Sequence, residues 1–307
     1  MGASASVDGI SMEEFSRLKR EYELKAAEGV SNEAIYDHMQ SVIQTIGTSK
    51  PVVSMELLSQ QHECNNCSQE IVNRATFDYL SDSNHKLCET KVKIVNALKS
   101  VLLSKGIDVT TDVSVPCPIV TPHQNFDSIL VPSDHYSRRP TDVYYACDAA
   151  MLRTHLAAHL ADTVKSGVLC YCMSGPVFRR LEEDTTLSEL SHHLEFVRIY
   201  DGEDVENEFV SIAEEVVKAS LQEPKLRWEE ADEFPYVKNS LMSLETLYRD
   251  SPLEVAQGGV LSEEMLKELE QGGKSGYIIN FDLDHLAMII HSIESIKDLQ
   301  DAGNCAQ

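Results

Sequence analysis

The sequence predicts an α+β fold in which helices flank an antiparallel sheet. Short alternating apolar runs, typical of strands, recur between residues 109 and 281. Amphipathic helical segments separate them, without the regular alternation that βαβ units and a parallel sheet require. Because 42% of the 307 residues are hydrophobic and 25% are charged, the chain has an ordinary globular composition and enough length for a large core.

The first 50 residues predict a helical hairpin extension. Ser11–Glu14 matches a capping box that opens a charged helix. Residues 31–46 then carry apolar side chains at helical spacing and end at Gly47, a common helix stop. Residues 51–84 contain further helical stretches and are interpreted as a connector. The main domain is therefore expected at 85–307.

Within the main domain, the first expected elements are a helix at 91–105, ended by Gly106, and an alternating strand at 109–115. Further strands are expected at 143–146, 168–173, 196–200, 255–261 and 276–281. Further helices are expected at 148–165, 205–221 and 283–292.

The charge balance narrows the classes of partner. The chain carries 26 Lys and Arg against 50 Asp and Glu, a formal net charge of −24. Proteins that bind a polyanion normally present a basic face to its phosphates. We therefore expect a neutral or basic protein partner rather than a nucleic acid. No apolar run is long enough to cross a membrane, and no signal or transit peptide is seen, so we expect a cytoplasmic protein.

The N-terminal residues Met-Gly-Ala-Ser-Ala-Ser fit the short pattern for N-myristoylation, with Gly2 as the acceptor. A chance run of small residues is the alternative. A single acyl chain would hold the protein at a membrane only reversibly, and an anionic leaflet would repel its net charge. Peripheral attachment to a membrane through a lipid is thus a second expectation for localisation.

The eight cysteines are expected to be reduced, because no secretory signal precedes them. His62, Cys64, Cys67, His85 and Cys88 include a Cys-x-x-Cys and a His-x-x-Cys, and four such ligands could close a tetrahedral zinc site. The candidate ligands are Cys64, Cys67, His85 and Cys88. Unliganded thiols beside a helix start are the alternative, because Cys-x-x-Cys occurs only once.

A series of ordered motifs begins at residue 125. The motifs are Asn125–Ser128, Val131–His135, Asp142–Tyr145, Leu152–His155, Val177–Arg180, His192–Glu195, Phe234–Tyr236, Leu253–Val255 and Leu283–Met288. In this order and spacing, they resemble the catalytic domain of phenylalanyl-tRNA synthetase, a class II aminoacyl-tRNA synthetase, and come nearest to its α-subunit and organellar forms. The likeness covers roughly residues 85–298 and implies the class II synthetase-like antiparallel sheet flanked by helices.

The resemblance also implies site positions. Arg179 stands where the family has an arginine that contacts the α-phosphate of ATP, Glu195 lies on the returning strand, and His285 stands where a second arginine is expected. The implied positions of the amino-acid pocket are His155, His193, Phe234, Tyr236 and Gly259.

Several of these positions depart from the family pattern. Asn280 and Asp282 replace glycines, and an aspartate beside a triphosphate adds like-charge repulsion. His285 replaces an arginine that is always charged, whereas a histidine is expected to be mostly neutral near pH 7. We therefore predict a phenylalanyl-tRNA synthetase-like pseudoenzyme that serves as a structural or protein-binding subunit and needs no cofactor.

Two alternatives stay open. One is an active phenylalanine-tRNA ligase-like enzyme that forms an aminoacyl adenylate with ATP and Mg; the other is an amino-acid-binding sensor. The organellar family members carry an anticodon-binding domain that this sequence does not show, so tRNA is not expected as a partner. The helix at 91–105 lies where class II enzymes often form a dimer, which makes a dimer a further expectation.

Overall fold

A computed structural model describes residues 55–60, 62–108, 111–115, 117–231, 234–239 and 241–301. The extension expected at 1–50 and the lipidation site expected at Gly2 lie outside these ranges. The α-helices of the described part are α1 (Gln69–Thr76), α2 (Lys86–Ser104), α3 (Pro122–Asn125), α4 (Leu160–Lys165), α5 (Val205–Ser220), α6 (Glu263–Glu268), α7 (Leu283–His291) and α8 (Ile296–Asp301). None of these helices is both long and apolar enough to span a bilayer.

Ten strands form two sheets in the described residues. They are β1 (Thr111–Ser114), β2 (Ile119–Val120), β3 (Tyr145–Cys147), β4 (Ala150–Leu152), β5 (Cys170–Phe178), β6 (Leu190–Tyr200), β7 (Arg227–Glu230), β8 (Met242–Tyr248), β9 (Ser251–Val260) and β10 (Ser275–Asp282). The large sheet has the order β1-β5-β6-β10-β9-β8-β7, and the small one has the order β2-β4-β3. The edge pair β1–β5 is parallel and every other pair is antiparallel.

Helices cover one face of the large sheet. Helices α5 and α7 pack on the strands β9 and β10, and α2 packs on α5 and α7. Residues two apart on a strand point to the same face of the sheet. On β6, Leu194 and Phe196 point to the covered face, and both are fully buried. The opposite face, with Val197 and Ile199, joins a core shared with Met151 of the small sheet. The α+β class with a flanked antiparallel sheet is therefore confirmed.

The expected helix at 148–165 was wrong in its first half. Residues 150–152 form β4, residues 156–159 form a 3-10 turn, and only Leu160–Lys165 is α-helical. The cause is tertiary. The buried side chain of Arg153 donates to the carbonyls of Pro176 at 2.7 Å and Val115 at 2.9 Å, which holds this segment extended against β5.

The segment at 55–84 packs on the main domain. A 3-10 turn at Met55–Ser59 precedes α1, and Arg74 of α1 forms an ion pair with Glu183 at 2.9 Å. The Asn66 side chain donates to the carbonyls of Pro140 and Val143 at 2.9 and 3.0 Å.

Candidate functional site

A cavity of about 160 Å³ opens on the face of the large sheet that is not covered by α2, α5 and α7. The ends of β5, β6, β9 and β10, the start of α7 and the loop before β6 surround it. Six residues expected from the sequence line it: His155, Arg179, His193, Phe234, Tyr236 and His285. A second cavity of about 210 Å³ shares His155, Arg179 and Phe234 with the first.

Arg179 follows directly after β5 and is exposed at the cavity. Its backbone N–H donates to the Glu189 carbonyl at 2.9 Å, and its Nε donates to the Thr154 carbonyl at 3.2 Å. No carboxylate of a described residue forms an ion pair with it. The guanidinium therefore keeps donors available for an anion in the cavity.

His285 lies at the other end of the cavity. Its Nδ1 is 2.7 Å from the Glu254 carbonyl oxygen, and its Nε2 is 2.9 Å from the Thr186 carbonyl oxygen. Carbonyl oxygens only accept hydrogen bonds, so both ring nitrogens must donate, and only the imidazolium can do this. Burial acts to lower the pKa of His285, but Asp282 and the two carbonyls raise it above its ordinary value. These contacts and the raised pKa favour the imidazolium, against the expectation that this histidine is mostly neutral near pH 7.

Asp282 and Asn280 also point into the cavity. Asp282 caps α7 by accepting from the His285 backbone N–H at 2.8 Å, and its second oxygen lies 3.4 Å from His285 Nδ1. One carboxylate thus serves both a helix N-terminus and the imidazolium. The two side chains take up space that glycines would leave open.

Glu195 lies on the pocket face of β6, two residues beyond His193, and is fully buried. Burial raises its pKa to about 8, although the amide of Asn280 and the charge of Arg153 partly oppose the rise. Neither carboxylate oxygen reaches a partner with hydrogen-bond geometry. Glu195 is therefore mostly a neutral acid at pH 7, beneath the cavity rather than among its lining residues.

His155 and His193 are held neutral. Burial, helped by the nearby Arg179, lowers the pKa of His155 to about 3, and its Nδ1 has no partner. Burial lowers the pKa of His193 to about 4, although Asp282 opposes the shift. Two neutral imidazoles beside one exposed guanidinium leave Arg179 as the dominant cationic group on this side of the cavity.

The apolar wall of the cavity comes from Phe234 and Tyr236, whose ring centroids lie 5.6 Å apart. Gly259 does not line it: this residue is buried in β9 and pairs with Ile278 of β10. The wall is suited to an apolar or aromatic side chain.

The sequence analysis did not identify the buried carboxylate of Asp284, which supports the strand and helix next to the cavity. Asp284 of α7 accepts from the His192 backbone N–H, lies 3.1 Å from His192 Nδ1, and accepts from Gln300 Nε2 at 3.2 Å. Although burial acts to raise the pKa of Asp284, the charge and hydrogen bonds of His192 lower it. The signal available was a charged residue in an otherwise apolar helix, which usually marks a buried partner.

The four residues expected to bind zinc do not form a cluster. The Cys67 thiol donates to the Tyr145 carbonyl at 3.6 Å, and His85 caps α2 by accepting from Leu87 N–H at 3.1 Å. Cys88 lies within α2. Cys64 instead lies beside His62 and Asp148.

Comparison with known proteins agrees with this geometry. A family model described as "tRNA synthetases class II core domain (F)" matches residues 81–304. The chloroplastic/mitochondrial phenylalanine–tRNA ligase of Arabidopsis thaliana is 31% identical over 191 residues, which cover 59% of this chain and 44% of that protein. The mitochondrial phenylalanine–tRNA ligase of Mus musculus is 26% identical over 304 residues, which cover 87% of this chain and 65% of that protein. The chain thus spans roughly half to two thirds of these relatives.

Two further matches concern a subunit and a fold. The phenylalanine–tRNA ligase alpha subunit of Acaryochloris marina is 24% identical over 184 residues, covering 58% of this chain and 54% of that protein. The crystal structure of pyrrolysyl-tRNA synthetase from Desulfitobacterium hafniense covers 92% of each chain with a TM-score of 0.53 and 16% identity. At this identity, the second likeness concerns the fold alone.

Proposed function

Because this chain belongs to the family of class II tRNA synthetase core domains, we propose that it is a phenylalanine–tRNA ligase-like protein that no longer forms aminoacyl adenylates. The main evidence is the bridge that His285 makes between the carbonyls of Glu254 and Thr186. In the resembling family, an arginine at this position is available to ATP. In this protein, both ring nitrogens of His285 contact protein carbonyls, so neither is available to ATP.

The residues at this end of the cavity do not fit a triphosphate. Asp282 would repel it, and its carboxylate already accompanies His285. Stabilising the charge that develops on a phosphorus centre needs several preorganised cationic groups. Only Arg179 remains exposed at the cavity without a carboxylate partner among the described residues.

The end of the cavity that carries Arg179 favours a second function, in which the protein binds an amino acid but does not activate it. Arg179 can pair with a carboxylate, and Phe234 with Tyr236 can contact an apolar side chain. The protein would then act as a sensor or as a ligand-responsive subunit. A protein partner of neutral or basic charge fits the formal net charge of −24.

The deciding experiment is ATP–pyrophosphate exchange with Mg and each of the twenty amino acids in turn, using the full chain. We expect no exchange. Clear exchange with any amino acid would overturn the proposal and establish an active ligase-like enzyme. Melting temperature with and without ATP-Mg provides the second readout, for which we expect no increase.

Binding of amino acids is tested separately by thermal melting of the wild type, Arg179→Ala and Arg139→Ala. Arg139 is exposed and does not line either cavity, so it is the matched control. The sensor function predicts that one amino acid raises the melting temperature of the wild type and Arg139→Ala but not of Arg179→Ala. No increase with any of the twenty would exclude it.

A further inference from the structure

A mixed cluster of metal-ligand side chains lies outside the cavity, where the segment before α1 meets the β3–β4 hairpin. His62, Cys64 and Asp148 each offer one ligand atom, and these atoms all lie within 4.8 Å of one another. His62 Nδ1 is 3.1 Å from Cys64 Sγ. In the described residues, this is the one such group of three or more His, Cys, Asp or Glu side chains.

The loop that carries His62 and Cys64 is built by two asparagines. The Asn65 side chain donates to the carbonyls of Leu58 and Gln60 at 3.0 and 2.8 Å, and its Oδ1 accepts from Cys67 N–H at 2.9 Å. These three bonds hold the turn in one shape without help from a metal.

Asn66 fastens the same loop to β3. Its Oδ1 accepts from Tyr145 N–H at 2.8 Å, and its backbone N–H donates to the Tyr145 carbonyl at 3.1 Å. Asp148 follows β3 directly at the tip of the hairpin. The backbone therefore holds Cys64 and Asp148 in position from both sides, so little ordering entropy opposes ligand binding.

The donor atoms also suit a metal. His62 Nδ1 lies 3.1 Å from Cys64 Sγ and 3.4 Å from the Cys64 backbone nitrogen, so the ring nitrogen lies beside the thiol. Nitrogen, sulfur and oxygen donors together match zinc.

We propose that His62, Cys64 and Asp148 form a zinc site that ties the loop at 62–67 to the β3–β4 hairpin. Tetrahedral bond lengths place a nitrogen and a sulfur ligand about 3.6 Å apart, so His62 and Cys64 need to separate only slightly from 3.1 Å. His62 and Asp148 are exposed, which leaves the fourth position to water. The site is independent of the proposed function, because none of its ligands lines the cavity.

The test uses the full chain, stripped of metal and kept reduced, in competition with a chromophoric zinc chelator. We expect one tight zinc per chain. His62→Ala, Cys64→Ser and Asp148→Asn should each weaken zinc binding at least about tenfold, because each removes a ligand. Zinc should also raise the melting temperature of the wild type and not that of Cys64→Ser.

Cys67→Ser and Cys88→Ser are the matched controls, since each removes a thiol outside the cluster. Both should bind zinc as the wild type does. The proposal fails if the wild type binds zinc no more tightly than Cys64→Ser, or if a control variant weakens binding as much as Cys64→Ser. Melting curves without zinc verify that every variant is folded.

Discussion

At the scale of single residues, the cavity illustrates how burial separates the roles of similar groups. Glu195 and Asp284 are both fully buried carboxylates. Burial acts to raise the pKa of Asp284, but the charge of His192 and hydrogen bonds from His192 and Gln300 lower it. Glu195 has no such donors in bonding geometry, and burial raises its pKa to about 8. The neighbouring charge and the hydrogen bonds that each carboxyl group receives therefore set the direction of its pKa shift.

Replacing Glu195 with Gln should change stability in a pH-dependent way. Because the pKa of Glu195 is raised in the folded protein, its contribution to the free energy of unfolding is fully present below the unfolded pKa of about 4.5. This contribution is lost as the pH rises towards about 8. Glutamine cannot ionise. Relative to the wild type, Glu195→Gln should gain a few kcal/mol between pH 5 and pH 8, at about 1.4 kcal/mol per pKa unit.

Urea unfolding at pH 5 and pH 8 measures this effect. The exposed Glu230→Gln is the control, and its stability difference from the wild type should stay small at both pH values. An equal difference for Glu195→Gln at both pH values would show that Glu195 ionises in the folded protein as it does in the unfolded chain.

At the scale of elements, strands β9 and β10 bring the two ends of the cavity together. Glu254 and Gln257 reach it from β9, and Asn280 and Asp282 reach it from β10. The close pairing depends on Gly258, which lies opposite Ile279. A Cβ added at Gly258 would lie 2.1 Å from the carbonyl oxygen of Ile278, which belongs to the backbone and cannot move aside cheaply.

Gly258→Ala should therefore destabilise the protein by about 3 kcal/mol, because a strand must shift to relieve the contact. Gly272→Ala is the matched control. Its added Cβ would meet only Lys267 Cγ at 3.6 Å, an ordinary contact, so its stability should change little or rise slightly. Chemical unfolding of both variants measures the difference, and similar values for the two would contradict the argument.

At the scale of the whole molecule, the formal net charge of −24 opposes the approach of a polyanion. Among the cationic side chains of the described part, many already pair with acids, such as Arg198 with Glu208 and Lys105 with Glu215. Such pairs reduce the positive charge available to phosphates. This charge balance is the basis for proposing a neutral or basic partner.

The expected consequence is that bulk tRNA does not bind at about 150 mM salt, where screening limits attraction to roughly 8 Å. A gel-shift titration of the full chain with unfractionated tRNA measures this, with a lysine-rich RNA-binding protein as the positive control. Saturable binding that weakens steeply with added salt would contradict the prediction, because that is the signature of phosphate contacts.

The sequence alone predicted the fold class, the order of most main-domain elements and six of the residues that line the cavity. The elements follow from local periodicity and turn residues. The cavity residues follow from the resemblance of the ordered motifs to a known family. Helices α5 and α7 begin and end near their expected positions, because each has an apolar stripe of sufficient length. Helix α2 ends near its expected position but begins at Lys86, five residues before the expected start. The resemblance also identified Asn280, Asp282 and His285 as positions that depart from the family pattern.

What the sequence could not decide was set by contacts between distant segments. The charge of His285 depends on carbonyls 31 and 99 positions away, at Glu254 and Thr186. The extended path near Arg153 depends on β5, and the neighbours of Cys64 depend on how Asn66 pairs with β3. The protonation state of a side chain and the set of ligands around a metal depend on the groups that lie within about 4 Å. Only the tertiary structure determines which groups these are.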